Sequence, residues 1–149
     1  MNAEERLKKQ RELIELIGHY HDKEGFQPIA GRIIGLLMVM DKEQYTFDEI
    51  TEELQISKSS ASNVLRNLEI REQIEYVTLP GDRKRYFQLK KQDAGSIVSD
   101  FRKKINGIKE LLAQIIELKA DKNSLNAVFF QNMIKTLEIV LKTFDEIIQ

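Results

Sequence analysis

Between residues 57 and 71, polar side chains recur at a spacing that places them on one side of a helix. Ser59, Ser62, Asn63 and Arg66 fall at relative positions 0, 3, 4 and 7, with Lys58 and Asn67 flanking them, and residues three and four apart share a helical face. Hydroxyl and amide groups donate and accept hydrogen bonds, and an arginine fork pairs with O6 and N7 of guanine. The strip therefore has the chemistry to read base edges or hold phosphates. Ser57 is a helix-capping residue, and with Ser60 it marks a helix start whose free amides and partial positive charge suit a phosphate. A second cluster, Arg83, Lys84 and Arg85, has the charge to lie on a nucleic-acid backbone or enter a minor groove. Each cluster alone also fits a solvated surface. Their order along the chain makes them candidate DNA contacts.

The positioning elements follow from apolar periodicity. Ala61, Val64, Leu65 and Leu68 form the opposite stripe of a helix over about 58–71, which anchors the polar strip by facing the core. Just upstream, Thr46 and Glu49 match a capping box, so a helix starts near Phe47, presents Phe47, Ile50 and Leu54 on one face, and ends near Gln55. Two short helices joined by so tight a turn suggest a helix-turn-helix. Downstream, Ile74, Tyr76, Val77 and Leu79 favour one strand and Tyr86, Phe87 and Leu89 another. The intervening Pro80, Gly81 and Asp82, with the basic cluster, make a hairpin tip.

Helices are also expected over about 4–22 and 28–41, with Gly25 and Pro28 between them. The second is apolar nearly all round and should be the buried centre. Its Gly31 and Gly35 either leave a strip for close helix approach or are tolerated without a packing role. After Lys91 a helix runs to about Ala120, with Ile97, Phe101, Ile105, Ile108, Leu112 and Ile115 on one seam. Another begins at Leu125 with a seam continuing to Ile148, and such near-heptad seams belong to helices that pack on partner helices.

Composition narrows the class. Of the 149 residues, 42% are hydrophobic and 32% charged, too apolar for disorder and too charged for a membrane protein. The longest uncharged apolar run, Ile33 to Met40, is shorter than the roughly 20 residues of a spanning helix. The charged start of the chain lacks a secretory pattern, so a cytoplasmic location is expected. Without cysteine, disulfides and thiolate metal sites are excluded. The net charge of −1 conceals a gradient: residues 41–56 carry −5, whereas residues 57–91 carry +4. The sign changes where the polar strip begins, and placement of charge matters more to a phosphate partner than its sum. His19 and His21 are two apart and do not share a face as paired ligands would. No nucleophile and base pair or phosphate-binding glycine loop is present, so neither catalysis, a cofactor nor a bound metal is expected.

The segments Thr46-Phe47-Asp48-Glu49-Ile50, Ile56-Ser57-Lys58-Ser59-Ser60 and Val77 to Phe87 resemble the MarR superfamily. With Pro28-Ile29-Ala30-Gly31-Arg32-Ile33-Ile34-Gly35, they look like its branch similar to the glycine betaine synthesis regulator GbsR. The resemblance covers about residues 28–90. It implies a mainly α fold with a small β-hairpin, a winged helix-turn-helix core, and terminal helices that form a dimer interface. By resemblance the helix over 58–71 is the recognition helix and Arg83, Lys84 and Arg85 belong to the wing. Members are typically repressors, some responsive to small molecules such as choline. A choline-type cation needs an aromatic cage, and here there is no Trp and only scattered aromatics, including Tyr20, Phe26, Tyr45, Phe101, Phe129 and Phe130. These suit core or interface positions, and the effector site stays unassigned.

The expected organisation is one domain over 1–149, with a DNA-binding core at about 28–90 and dimerisation helices at about 4–22 and 92–149. A two-fold dimer would bury the outer seams and set two recognition helices about 34–36 Å apart, matching a palindromic operator on double-stranded DNA. The helices could instead form an intramolecular cap. The competing function is a winged-helix module for protein–protein interaction that never touches DNA, using the hydrophobic last helix as its surface.

Overall fold

The computed structural model describes residues 1–23 and 27–148. Gly25, expected to help separate the first two helices, and the aromatic Phe26 lie outside the described residues. Two compact units divide the chain, Met1–Lys91 and Gln92–Gln149.

The first unit runs α1 (Ala3–Lys23), α2 (Pro28–Val39), β1 (Tyr45–Thr46), α3 (Phe47–Leu54), α4 (Lys58–Ile70), β2 (Ile74–Thr78) and β3 (Arg85–Leu89). Helix α2 opens with Pro28 in its first turn, where a missing amide costs nothing. It buries Ile33, Ile34, Leu36 and Leu37, which meet Ile50 and Leu54 of α3, Val64, Leu65 and Leu68 of α4, and Ile74 and Phe87 of the sheet. Burying a branched aliphatic side chain is worth about 1.5–3 kcal/mol, so this helix is the centre the apolar pattern predicted.

Both glycines of α2 pack. A Cβ on Gly31 would stand 2.8 Å from Gly18 Cα and 2.8 Å from His21 Cβ, and one on Gly35 would stand 3.3 Å from Ile14 Cα. Helix α1 therefore lies backbone to backbone on α2. Ile14 and Gly18 are buried in that seam, while Leu13, Leu16 and Tyr20 remain exposed. Gln10 reinforces the contact by donating to the Val39 carbonyl at 3.1 Å.

The sheet holds more than the expected hairpin. Strands β2 and β3 pair antiparallel, Ile74 opposite Leu89 and Thr78 opposite Arg85. The two-residue β1 adds to the free edge of β3, with Tyr45 opposite Phe87 and Thr46 opposite Tyr86, giving the order β1-β3-β2.

The second unit is α5 (Ala94–Leu118) and α6 (Leu125–Ile148). Asp93 caps α5 by accepting from the Ser96 amide at 2.7 Å, and Lys122 donates to the Ile116, Glu117 and Lys119 carbonyls past its last turn. Ion pairs join Arg102 to Asp145 and Lys109 to Glu138, so the helices run antiparallel. Leu112 and Ala127 are buried between them. Much of the apolar surface remains outside: Phe101, Ile108, Leu111, Ile115, Val128, Phe129 and Ile139 are exposed, as are Leu118 at 86% and Leu125 at 90%. Among the described residues, no helix is long and apolar enough to cross a membrane.

Candidate nucleic-acid interface

The helix pair forms for local reasons. Thr46 accepts from the Glu49 amide at 3.2 Å, and Glu49 returns a carboxylate to the Thr46 amide, completing the capping box. Gln55 ends α3 in the left-handed region at φ 51, after which the Ile56 amide donates back to the Thr51 carbonyl. Ser57 then caps α4 by accepting from the Ser60 amide at 3.2 Å, and its own hydroxyl donates to Ser60 Oγ at 2.8 Å. The Ser57 oxygen is thus spent on its helix while the residue stays exposed.

Ala61, Val64, Leu65 and Leu68 turn into the core, and their burial fixes the rotation of α4. Lys58, Ser59, Ser62, Asn63, Arg66 and Asn67 are all exposed, and Ser60 is half-buried. Across the sheet, Arg83, Lys84 and Arg85 are exposed at the hairpin. A groove of about 520 Å³ joins the two clusters, bounded by Ser62 and Arg66 of α4, Lys84 and Arg85 of the hairpin, and Phe47 of α3. The strip and the basic tip are therefore neighbours in space.

Acidic groups share that groove. Glu69, three residues after Arg66 and seven after Ser62, brings a carboxylate onto the strip's own face of α4, and Asp48 of α3 also lines the depression. Asp48 sits in the first turn of α3, where a carboxylate complements the helix dipole. Lys58 stands 3.9 Å from it, a loose and exposed pair of small energetic worth.

The hairpin tip is braced by an aspartate. Gly81 turns the chain with φ 78, and Asp82 accepts from the Lys84 amide at 2.9 Å and from the Tyr86 hydroxyl. The Tyr86 hydrogen bond, followed by the Lys84 amide, holds the Asp82 carboxyl below its usual range, and the same bond raises the Tyr86 phenol. Arg85 stacks over the Tyr76 ring at 4.6 Å, a cation–π contact that orients the guanidinium, and Tyr76 in turn meets Phe87 edge-on at 6.3 Å.

No family model matches the chain. Over 79 residues it is 33% identical to the HTH-type transcriptional regulator MmpR5 of Mycobacterium tuberculosis, covering 53% of this chain and 48% of that protein. The chain thus spans about half the length of this curated relative. A solved structure described as a transcriptional regulator matches 93% of this chain and 94% of its own, with a TM-score of 0.65 at 23% identity. The fold is a winged helix. A Staphylococcus aureus MepR–DNA complex is a more distant neighbour, with a TM-score of 0.43 at 20% identity over 85% of this chain and 90% of its own.

In winged-helix terms α4 is the second helix of the pair and the β2–β3 hairpin is the wing. Sequence reasoning found both and placed Tyr76 and Tyr86 in the strands and Asp82 at the tip, but missed the contacts by which these three shape the wing. Asp82 one residue after a glycine was a readable turn signal, whereas its bond to the tyrosine four positions on forms across a hairpin turn, where neither the helical nor the strand period applies. The aromatics considered for a cage have local partners within their own units. Tyr45 is buried in the core, Tyr20 meets His21 edge-on at 6.0 Å, and Phe129 tilts against Phe130 at 5.8 Å. His21 Nδ1 lies 3.0 Å from the Ile17 carbonyl. Among the described residues, no cluster of three or more His, Asp or Glu side chains is placed to hold a metal.

Proposed function

We propose that this protein is a sequence-specific DNA-binding transcriptional regulator of the MarR type, acting as a homodimeric repressor on a palindromic operator in the cytoplasm. The observation that carries the proposal is the shared groove of Ser62, Arg66, Lys84 and Arg85, which makes a helix face and a wing one surface. Asn63 and Arg66 are assigned to base edges in the major groove. Ser57, Lys58, Ser59, Ser60, Ser62 and Asn67 are assigned to the flanking phosphates and base edges, and Arg83, Lys84 and Arg85 to the neighbouring backbone or minor groove. The 33% identity to a protein described as a transcriptional regulator supports the same reading.

The core at about 28–90 carries this surface, and α1, α5 and α6 form the dimerisation region. Exposed Phe101, Leu111, Ile115 and Phe129 form a larger apolar display than isolated surface residues, of the kind that marks an interaction site. The motif resemblance to the GbsR-like branch extends the proposal to a small-molecule effector that releases DNA.

Selection from a pool of random duplexes, read by sequencing, tests the function. The expected yield is a palindrome with half-sites one helical turn apart. Recovery of no enriched sequence, or equal recovery by the protein with Arg66 and Arg83 changed to Ala, would refute the proposal.

A further inference from the structure

We infer that Arg32 is a positioning residue that ties the aim of the recognition helix to helix α1. Its guanidinium donates in two directions. Nε reaches the Glu15 carboxylate on α1 at 3.0 Å, and Nη2 reaches the Leu54 carbonyl at the end of α3 at 3.0 Å. The planar fork of arginine makes both bonds without changing rotamer, which a lysine ammonium on a flexible stem does not reproduce.

The Leu54 carbonyl belongs to the last turn of α3, where backbone acceptors lack helical donors and the dipole favours a cation. One residue later Gln55 takes its left-handed conformation, and two residues after that Ser57 caps α4. The bond therefore holds the pivot from which the recognition helix departs. At the other end, α1 leaves room for the arginine stem because residue 18 is glycine: a Cβ there would stand 2.9 Å from Arg32 Cγ. The side chain is only 27% exposed, so it is held in this path. Helix α1 also displays Leu13, Leu16 and Tyr20 outward. A surface that covers that face and shifts α1 along α2 would pull Glu15, then Arg32, then the α3–α4 turn.

The consequence for DNA affinity rests on the function proposed above; the mechanical link does not. Full-length wild type, Arg32→Gln, Arg32→Lys and Glu15→Gln would be compared by amide hydrogen exchange and by anisotropy of the labelled selected duplex at several salt concentrations. Arg32→Gln should speed exchange of the Ile56 and Ser60 amides and weaken DNA binding about tenfold, the scale of one charge-assisted hydrogen bond. The slope of log affinity against log salt should stay unchanged, because no phosphate contact is lost. Arg32→Lys should recover part of both effects. If Arg32→Gln fails to fold, Glu15→Gln, which removes only the α1 end, should show the smaller change. Exchange at the turn equal to wild type in Arg32→Gln or, failing that variant, in Glu15→Gln would overturn the inference. So would a salt slope reduced by about one, which would make Arg32 a phosphate contact. If wild type binds no duplex, the DNA proposal fails, and the exchange comparison still decides the link between Arg32 and the turn.

Discussion

The same methyl group, added at three helical glycines, should move stability in different directions. At Gly107 of α5 a Cβ meets nothing within 4 Å, and alanine is about 0.5–1 kcal/mol better than glycine inside a helix. Gly107→Ala should therefore stabilise the second unit by that amount. At Gly31 the new carbon would stand 2.8 Å from Gly18 Cα. The obstacle is backbone rather than a flexible side-chain end, so α1 must move away from α2 and disturb the burial of Ile14. Overpacking costs about 1–3 kcal/mol, and the loss of α1 burial adds to it, so the propensity gain is outweighed and a net loss of about 2 kcal/mol is expected. Gly35→Ala, at 3.3 Å from Ile14 Cα and O, needs a shift of only a few tenths of an ångström and should stay within about 1 kcal/mol of wild type. Hydrogen exchange measured along a urea series reads the α1–α2 and α5 peptides separately and so keeps the two units apart. Wild-type protection of α1 and α2 in Gly31→Ala, or faster exchange of α5 in Gly107→Ala, would refute the packing argument.

Three other outcomes are expected. Lys84→Ala should weaken binding to all duplexes alike and reduce the salt slope by about 0.9, whereas Arg66→Ala should cost about 1–3 kcal/mol on the selected operator and far less on random duplex; competition anisotropy separates the two. The Asp82 carboxyl is lowered, so its brace is present at neutral pH and is lost only as pH falls through that lowered value; the Tyr86 phenol is raised, so the brace persists until pH rises past that raised value. NMR titration of the Lys84 amide should show no transition in the neutral range, and Tyr86→Phe should remove the alkaline limit while loosening the wing. If the proposed dimer forms through α5, replacing Phe101 and Leu111 with Glu should yield a monomer by light scattering with the winged unit still folded, and a dimer unchanged in mass would remove α5 from the interface.

Much of the winged unit was legible because its signals are local. The Thr46–Glu49 box, the Ser57 cap and the Ala61 to Leu68 stripe each specify geometry within about two helical turns, and the structure forms all three. Strand β1 was not legible, since two residues in an acidic linker show no period and their pairing depends on a strand some forty positions later. Gly18 escaped notice for a related reason: its small size matters only beside Gly31 and Arg32 on another helix. The site was read in part. Helical spacing revealed which side of α4 faces outward and could have placed Glu69, seven residues after Ser62, on that side. Asp48 borders the groove through tertiary arrangement, and no spacing along α4 announces a wall supplied by α3.

Thr46 belongs to two elements at once: it pairs with Tyr86 in the sheet, and its hydroxyl starts α3. The strand just below the wing tip and the start of the helix pair are thereby pinned at a single residue. On the proposed function, the two grips on DNA resemble the jaws of a caliper locked at one opening. Such a reader resists widening its grasp for a stretched half-site, so discrimination passes to the aim of α4 and to the angle between the two calipers, and a regulator need only tilt one against the other to make both jaws miss.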